Sequence, residues 1–147
     1  MQGNWIAVVL LGAGLVFAAA EKTLEEIKAE KNLERRAGQY LDYADKRMDS
    51  LGAIYRAGEW KKVEATLGEV VEAVVLAQES LKETGKDPRR HSKHFKRAEK
   101  ATRELIRRLE GFSEDVSYDE RATVEKARKR VEKVHDELLL GILGKKS

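Results

Sequence analysis

The sequence predicts an all-α protein: an up-down-up-down antiparallel four-helix bundle that follows an N-terminal signal peptide. Its 147 residues are 41% hydrophobic and 37% charged, with one proline and no cysteine. This balance favours helices and excludes both a collagen-like chain and a disulfide-stapled miniprotein. Beyond residue 30, apolar residues recur at intervals of three and four in four successive segments, which is the periodicity of helices that bury one face.

Residues 1–20 carry the predicted signal peptide. They contain no charged side chain, and the small residues Ala18 and Ala20 fit the A-x-A pattern that signal peptidase accepts. An uncleaved membrane anchor over residues 5–20 is the alternative, although that stretch is shorter than the roughly 20 residues of a comfortable span. We therefore expect a periplasmic or secreted protein, with a membrane-anchored form as the alternative.

Residues 21–30 are predicted to form a separate N-terminal arm, and residues 31–147 a four-helix domain. The arm is set apart because Leu24 and Ile27 are out of phase with the apolar stripe that begins at Leu33. The stripe of the first long helix contains Leu33, Ala37, Tyr40, Ala44, Met48, Leu51 and Tyr55. The second contains Trp60, Val63, Leu67, Val70, Val74, Ala77 and Leu81.

Two further stripes complete the predicted core. The third contains Phe95, Ala98, Thr102, Leu105, Leu109 and Phe112, and the fourth contains Val124, Ala127, Val131, Val134, Leu138 and Ile142. Beyond Leu138 the chain is more apolar than one helix face requires. This end and the N-terminal arm are expected either to cover each other or to form a homodimer interface.

The joins between the stripes are short, so consecutive helices should run antiparallel. The first join is Ala57-Gly58-Glu59. In the second, Gly85 suits a left-handed C-terminal position, Asp87 suits the N-cap and Pro88 suits the first helical turn. The third join is predicted to span residues 111–117.

No catalytic residue, cofactor or metal site is predicted. Glu132 and His135 have the spacing of a di-iron ligand pair, but the other two histidines, His91 and His94, lack a Glu three residues before them. His91 and His94 lie one turn apart among lysines and arginines that would repel a dication. An enzyme is therefore the class that the sequence favours least.

One surface stands out by its charge. The segment from Lys86 to Arg108 holds ten basic residues and three acidic ones. Six of the basic residues recur at intervals of three and four, which places them in one line opposite the apolar stripe of the same helix. This basic ridge consists of Arg89, Lys93, Lys96, Lys100, Arg103 and Arg107.

The ridge has two interpretations. It is either a solvated helix face or a strip that binds anionic lipid, acidic polysaccharide or an acidic protein. Nucleic acid is not expected, because export removes the protein from the cytoplasm and no aromatic residue interrupts the ridge to stack on bases. The predicted function is therefore a non-enzymatic exported protein that binds or scaffolds through its third helix. The alternative is a periplasmic protein that holds a ligand or an unfolded client.

Several short runs of the sequence are similar to those of a known group of proteins. They are Asn32–Arg36, Thr84–Arg90 followed by His94–Arg97, and Val134–Leu138 with Leu140–Ile142. In these runs the chain resembles uncharacterised small exported bacterial helical proteins. The resemblance implies a signal peptide and a helical domain, and it assigns no activity.

Overall fold

Helices account for all the regular secondary structure in the computed structural model, which describes residues 21–145. The all-helical prediction is confirmed for this part of the chain, and the predicted signal peptide lies outside it. None of the described helices combines the length and apolarity needed to cross a membrane. The elements are α1 (Leu24–Lys28), α2 (Leu33–Arg56), α3 (Trp60–Glu83), α4 (Ser92–Asp115) and α5 (Tyr118–Leu143).

Local chemistry sets several of the helix ends. The Asn32 side chain accepts a hydrogen bond of 2.8 Å from the backbone N–H of Arg35 and so caps α2. The backbone turns left-handed just beyond α3, at Gly85, where φ is +66°. A side chain would be strained in this conformation, so the glycine that the sequence pattern placed there is the residue that the turn requires.

The predicted start of the third long helix is wrong. The Asp87 carboxylate accepts from the backbone N–H of Arg89, and its carbonyl accepts from the N–H of His91. These bonds close a separate turn, so α4 begins at Ser92 instead of Pro88. Proline and aspartate favour the start of any turn, and the sequence does not reveal whether the turn continues into a helix.

The predicted third join is also too long. Helix α4 continues to Asp115, so only Val116 and Ser117 separate it from α5. The continuation keeps Phe112 in the apolar stripe, where its ring meets the ring of Tyr55 edge to face, with 5.9 Å between centroids. The packing of this aromatic side chain outweighs the weak helix-breaking preference of Gly111.

The four long helices alternate in direction along the chain. Helices α2 and α3 form one antiparallel hairpin, in which Arg36 near the start of α2 reaches Glu83 at the end of α3, at 2.9 Å. Helices α4 and α5 form a second hairpin, in which Glu99 early in α4 lies 3.0 Å from His135 late in α5.

The two hairpins pack with parallel helices side by side. Helix α4 lies beside α2, where Arg97 contacts Asp42 at 3.2 Å. Helix α5 lies beside α3, where Gln78 donates to Glu137 at 2.8 Å. Since α3 and α4 are consecutive in the chain but make little contact, the short join between them crosses from one hairpin to the other.

The core lies where the four stripes meet. The predicted stripes are buried except at their ends. Leu67, Val74, Leu105, Leu109 and Val131 are among the buried residues, whereas Leu33, Tyr55, Trp60 and Ile142 are only partly buried. Ile27 of α1 is also only 2% exposed, so the N-terminal arm contributes to the same core. At the other end of the chain, Leu138 is buried, Ile142 is partly buried and Leu143 is 58% exposed.

Replacing Leu105 with Ala should destabilise the fold by about 2–5 kcal/mol, because a buried leucine loses both transfer free energy and packing contacts. Lys100→Ala, at an exposed position of the same helix, should change stability by less than about 0.5 kcal/mol. Urea unfolding followed by circular dichroism measures both. Equal losses in the two variants would contradict the assigned faces of α4.

The contact between α3 and α5 should make stability depend on pH. Glu137 accepts from Gln78 and, at 3.2 Å, from Lys82, and these two donors lower its pKa below the ordinary value of 4.5. Because the pKa of Glu137 is lowered in the folded state, its ionised carboxylate stabilises the fold above about pH 4.5. This stabilisation is lost as the pH falls through the folded pKa.

We expect Glu137→Ala to destabilise the protein by about 0.5–1.5 kcal/mol at pH 7, the usual range for one hydrogen bond. The difference from the natural protein should shrink at an acidic pH below the folded pKa of Glu137, where the carboxyl group is protonated. Urea unfolding at both pH values gives the comparison, and Glu114→Ala is an exposed control. A loss of the same size at both pH values would contradict the role of the carboxylate.

Candidate anionic-surface binding site

Helix α4 carries most of the predicted ridge on its solvent side. Lys93, Lys96, Lys100, Arg103 and Arg107 are all exposed. At 100° per residue they fall within an arc of about 80°, roughly opposite the buried stripe of the helix. The ridge is straight and about 21 Å long, given the 1.5 Å rise of each residue.

Arg89 does not belong to this straight line. It lies in the turn before α4, where its guanidinium pairs with Asp87 at 3.3 Å. Its side chain also crosses the end of α5, close enough that a Cβ added at Gly144 would lie 2.6 Å from its Cδ. The ridge on the helix therefore has five residues, and Arg89 is attached to the turn and to α5.

The ridge is only partly neutralised by its neighbours. Arg103 lies 3.5 Å from Glu99 and Arg107 lies 3.4 Å from Glu104, both within α4. The two arginines stay 58% and 73% exposed. Within residues 21–145 the three lysines of the ridge form no salt bridge, so their ammonium groups face solvent alone.

The flank of α4 that faces α2 carries a different set of cations. Arg97 pairs with Asp42 at 3.2 Å. Arg108 reaches both Asp45 and Asp49 at 2.5 Å. These two arginines therefore have carboxylate partners on α2, unlike the lysines of the ridge.

Gly38 makes room for the first of these pairs. The Arg97 guanidinium passes so close to α2 that a Cβ at position 38 would lie 2.6 Å from its Nη1. A side chain there would push the guanidinium aside, because real Cβ atoms do not approach other atoms so closely. A glycine on α2 therefore allows the arginine of α4 to cross its surface.

The flank of α4 that faces α5 carries Glu99. Its carboxylate lies 3.0 Å from Nε2 of His135, and the two side chains are 16% and 15% exposed. Glu132, the other residue of the Glu-x-x-His pattern, pairs with Arg128 instead. Among the described residues no three His, Asp or Glu side chains are grouped closely enough to hold a metal ion.

Glu34, at the start of α2, contacts Lys86 of the join before α4 and His94 in the first turn of α4. It lies 2.5 Å from Nζ of Lys86 and 3.4 Å from Nε2 of His94. The hydrogen bond from Lys86 is the main reason that the pKa of Glu34 lies below its usual value. This carboxylate therefore stays ionised and neutralises Lys86, which leaves the net positive charge further along α4.

Some of the ten basic residues between Lys86 and Arg108 have carboxylate partners on another helix, and others do not. The sequence interpretation missed that Lys86, Arg97 and Arg108 have partners on α2. The sequence of α2 did contain a pattern that indicates these partners. Asp42, Asp45 and Asp49 recur at intervals of three and four beside its apolar stripe. Such a line of carboxylates indicates a cationic neighbour.

Comparison with protein-family models, with curated proteins and with solved structures finds no match. The resemblance to small exported helical proteins thus stays a prediction.

The two sets of cations should differ in their effect on stability. A double-mutant cycle of Arg108→Ala and Asp49→Ala should give a coupling of about 0.2–1 kcal/mol that decreases with added salt. The same cycle with Lys96→Ala and Asp49→Ala should give no coupling, because the Asp49 carboxylate pairs with Arg108 and Lys96 forms no salt bridge within residues 21–145. Urea unfolding provides the free energies. Coupling in the Lys96 cycle would show that the ridge also holds the helices together.

Proposed function

We propose that the protein is an exported up-down-up-down four-helix bundle that acts by binding anionic surfaces through the ridge on α4. The observation that supports this most directly is the contrast on one helix. Arg97 and Arg108 have carboxylate partners on α2, whereas Lys93, Lys96 and Lys100 have none within the described residues.

The shape of the ridge favours an extended partner. Its five cations form a straight line of about 21 Å on a convex helix surface, so a flat bilayer or a long polyanion can contact all of them at once. Among the surfaces that an exported protein meets, an anionic lipid bilayer matches this geometry best, and acidic polysaccharide or an acidic protein are the alternatives.

The expected affinity is low. A Lys or Arg close to an anionic bilayer contributes about 1 kcal/mol, so five give about 5 kcal/mol and a dissociation constant of about 0.1–1 mM. One copy would therefore bind reversibly. Stable attachment requires several copies on the same surface or an additional apolar contact.

We expect the protein to co-sediment with vesicles that contain anionic lipid and not with neutral vesicles. Binding should weaken as salt rises, because screening acts within about 8 Å at physiological ionic strength. A variant with Lys96, Lys100, Arg103 and Arg107 all changed to Glu should lose this binding and keep its helical circular dichroism signal.

A matched variant controls for net charge. Lys31, Lys61, Lys129 and Arg130 are exposed and lie outside the ridge, so changing these four to Glu should preserve most of the binding. Equal losses in the two variants would show that only net charge matters. A natural protein that binds no anionic vesicle or acidic polysaccharide, even at low salt, would overturn the proposal.

A further inference from the structure

The last turns of α5 carry an apolar patch that the core covers only in part. The patch consists of Leu139, Ile142 and Leu143. Leu139 and Ile142 are partly exposed, Leu143 is 58% exposed, and Ile142 packs against the core with its remaining surface. Apolar side chains that cluster on a surface mark a contact site, whereas single ones do not.

The patch lies beside the first residues of the basic ridge. Helices α4 and α5 are antiparallel, and the 3.0 Å contact between Glu99 and His135 fixes how they are aligned. Leu139 comes one turn after His135 on the same flank of α5, and Lys96 comes one turn before Glu99 on the same flank of α4. Both steps lead about 6 Å toward the same end of the hairpin. The patch and the ridge therefore share the outer face that α4 and α5 form together.

The edge of the patch is positively charged. Lys93 and Lys96 form no salt bridge within residues 21–145, and Lys145 follows α5 directly and is exposed. The exposed carboxylate of α5 nearest to the patch is that of Asp136, which lies 3.3 Å from Nδ1 of His135. Leucines bordered by lysines are typical of surfaces that enter the boundary of an anionic bilayer.

A second copy of the chain would cover the patch poorly. A symmetric contact would bring Lys93 and Lys96 of both copies together, and these like charges would repel. Three apolar side chains also fall far short of the about 800 Å² that each partner buries in a standard interface. A bilayer has neither problem, because its acyl region accepts the leucines while the flexible lysine stems let the ammonium groups reach lipid phosphates.

We propose that Leu139, Ile142 and Leu143 enter the boundary between headgroups and acyl chains of the anionic bilayer that the ridge contacts. This inference rests on the proposed function, and it identifies the additional apolar contact that stable attachment requires. Helices α4 and α5 lie along the bilayer surface in this arrangement. The ridge attracts the protein to the surface, and the patch strengthens attachment by removing apolar side chains from water.

Site-specific fluorescence of the intact chain tests the proposal. The chain has no cysteine, so an NBD fluorophore can be attached at one chosen position. We expect the label on Leu143→Cys to brighten and shift to the blue with vesicles of phosphatidylglycerol and phosphatidylcholine. Nitroxide groups on the acyl chains should quench it. A label on Ala65→Cys should show neither effect, because Ala65 is exposed on α3, a helix that makes little contact with α4.

Polar substitutions give a second, independent measurement. Leu139→Asn combined with Leu143→Asn should weaken binding to the same vesicles by about tenfold, because burial of apolar surface equal to one leucine side chain contributes at least that factor. The loss should persist at high salt, since salt screens only the charges of the ridge. Ala65→Asn should leave binding unchanged, and circular dichroism verifies that each variant is folded.

The patch and the ridge can fail separately in these measurements. If the protein binds the vesicles but the Leu143 label stays in water, or if the double Asn variant binds as tightly as the natural protein, the patch does not enter the bilayer and the ridge acts alone. If the natural protein does not bind these vesicles at low salt, bilayer binding through the ridge is wrong and insertion of the patch is overturned with it.

Discussion

Burial of the apolar stripe of α4 decides where each charged residue of that helix points. Leu105 and Leu109 face the core, and the helix cannot rotate about its axis without exposing them at a cost of about 1.5–3 kcal/mol each. The 3.6-residue repeat then places Arg97 and Arg108 toward α2, Glu99 toward α5 and the ridge toward solvent. The charge distribution on the surface is thus a consequence of packing in the core.

Helix α2 contributes to two different surfaces of the protein. On one side its aspartates pair with Arg97 and Arg108 of α4. The lysines of the ridge differ from them, since they form no salt bridge within residues 21–145. On another side Tyr40 and Arg36 line a groove beneath α1. Helix α2 therefore shapes both the charge pattern beside α4 and the groove beneath α1.

Much of the fold was predictable because it depends on local periodicity. Intervals of three and four between apolar residues identify the four long helices, and their predicted core residues Leu67, Leu105 and Val131 are buried. Helix ends were less predictable. Asp87 and Pro88 start a turn that stops before α4, and whether such a turn continues depends on contacts that local sequence does not encode.

The sequence by itself determined the helical class, the buried stripe of each helix and the line of cations opposite one of them, because these follow from the geometry of a single helix. Only the tertiary structure decided which cations stay free, because a carboxylate on another helix neutralises a cation only when packing brings the two together. Asp49 and Arg108 are far apart in the chain, yet they lie 2.5 Å apart in the fold. The groove around Tyr40 depends on the same cause, since it forms only where the arm packs against two helices.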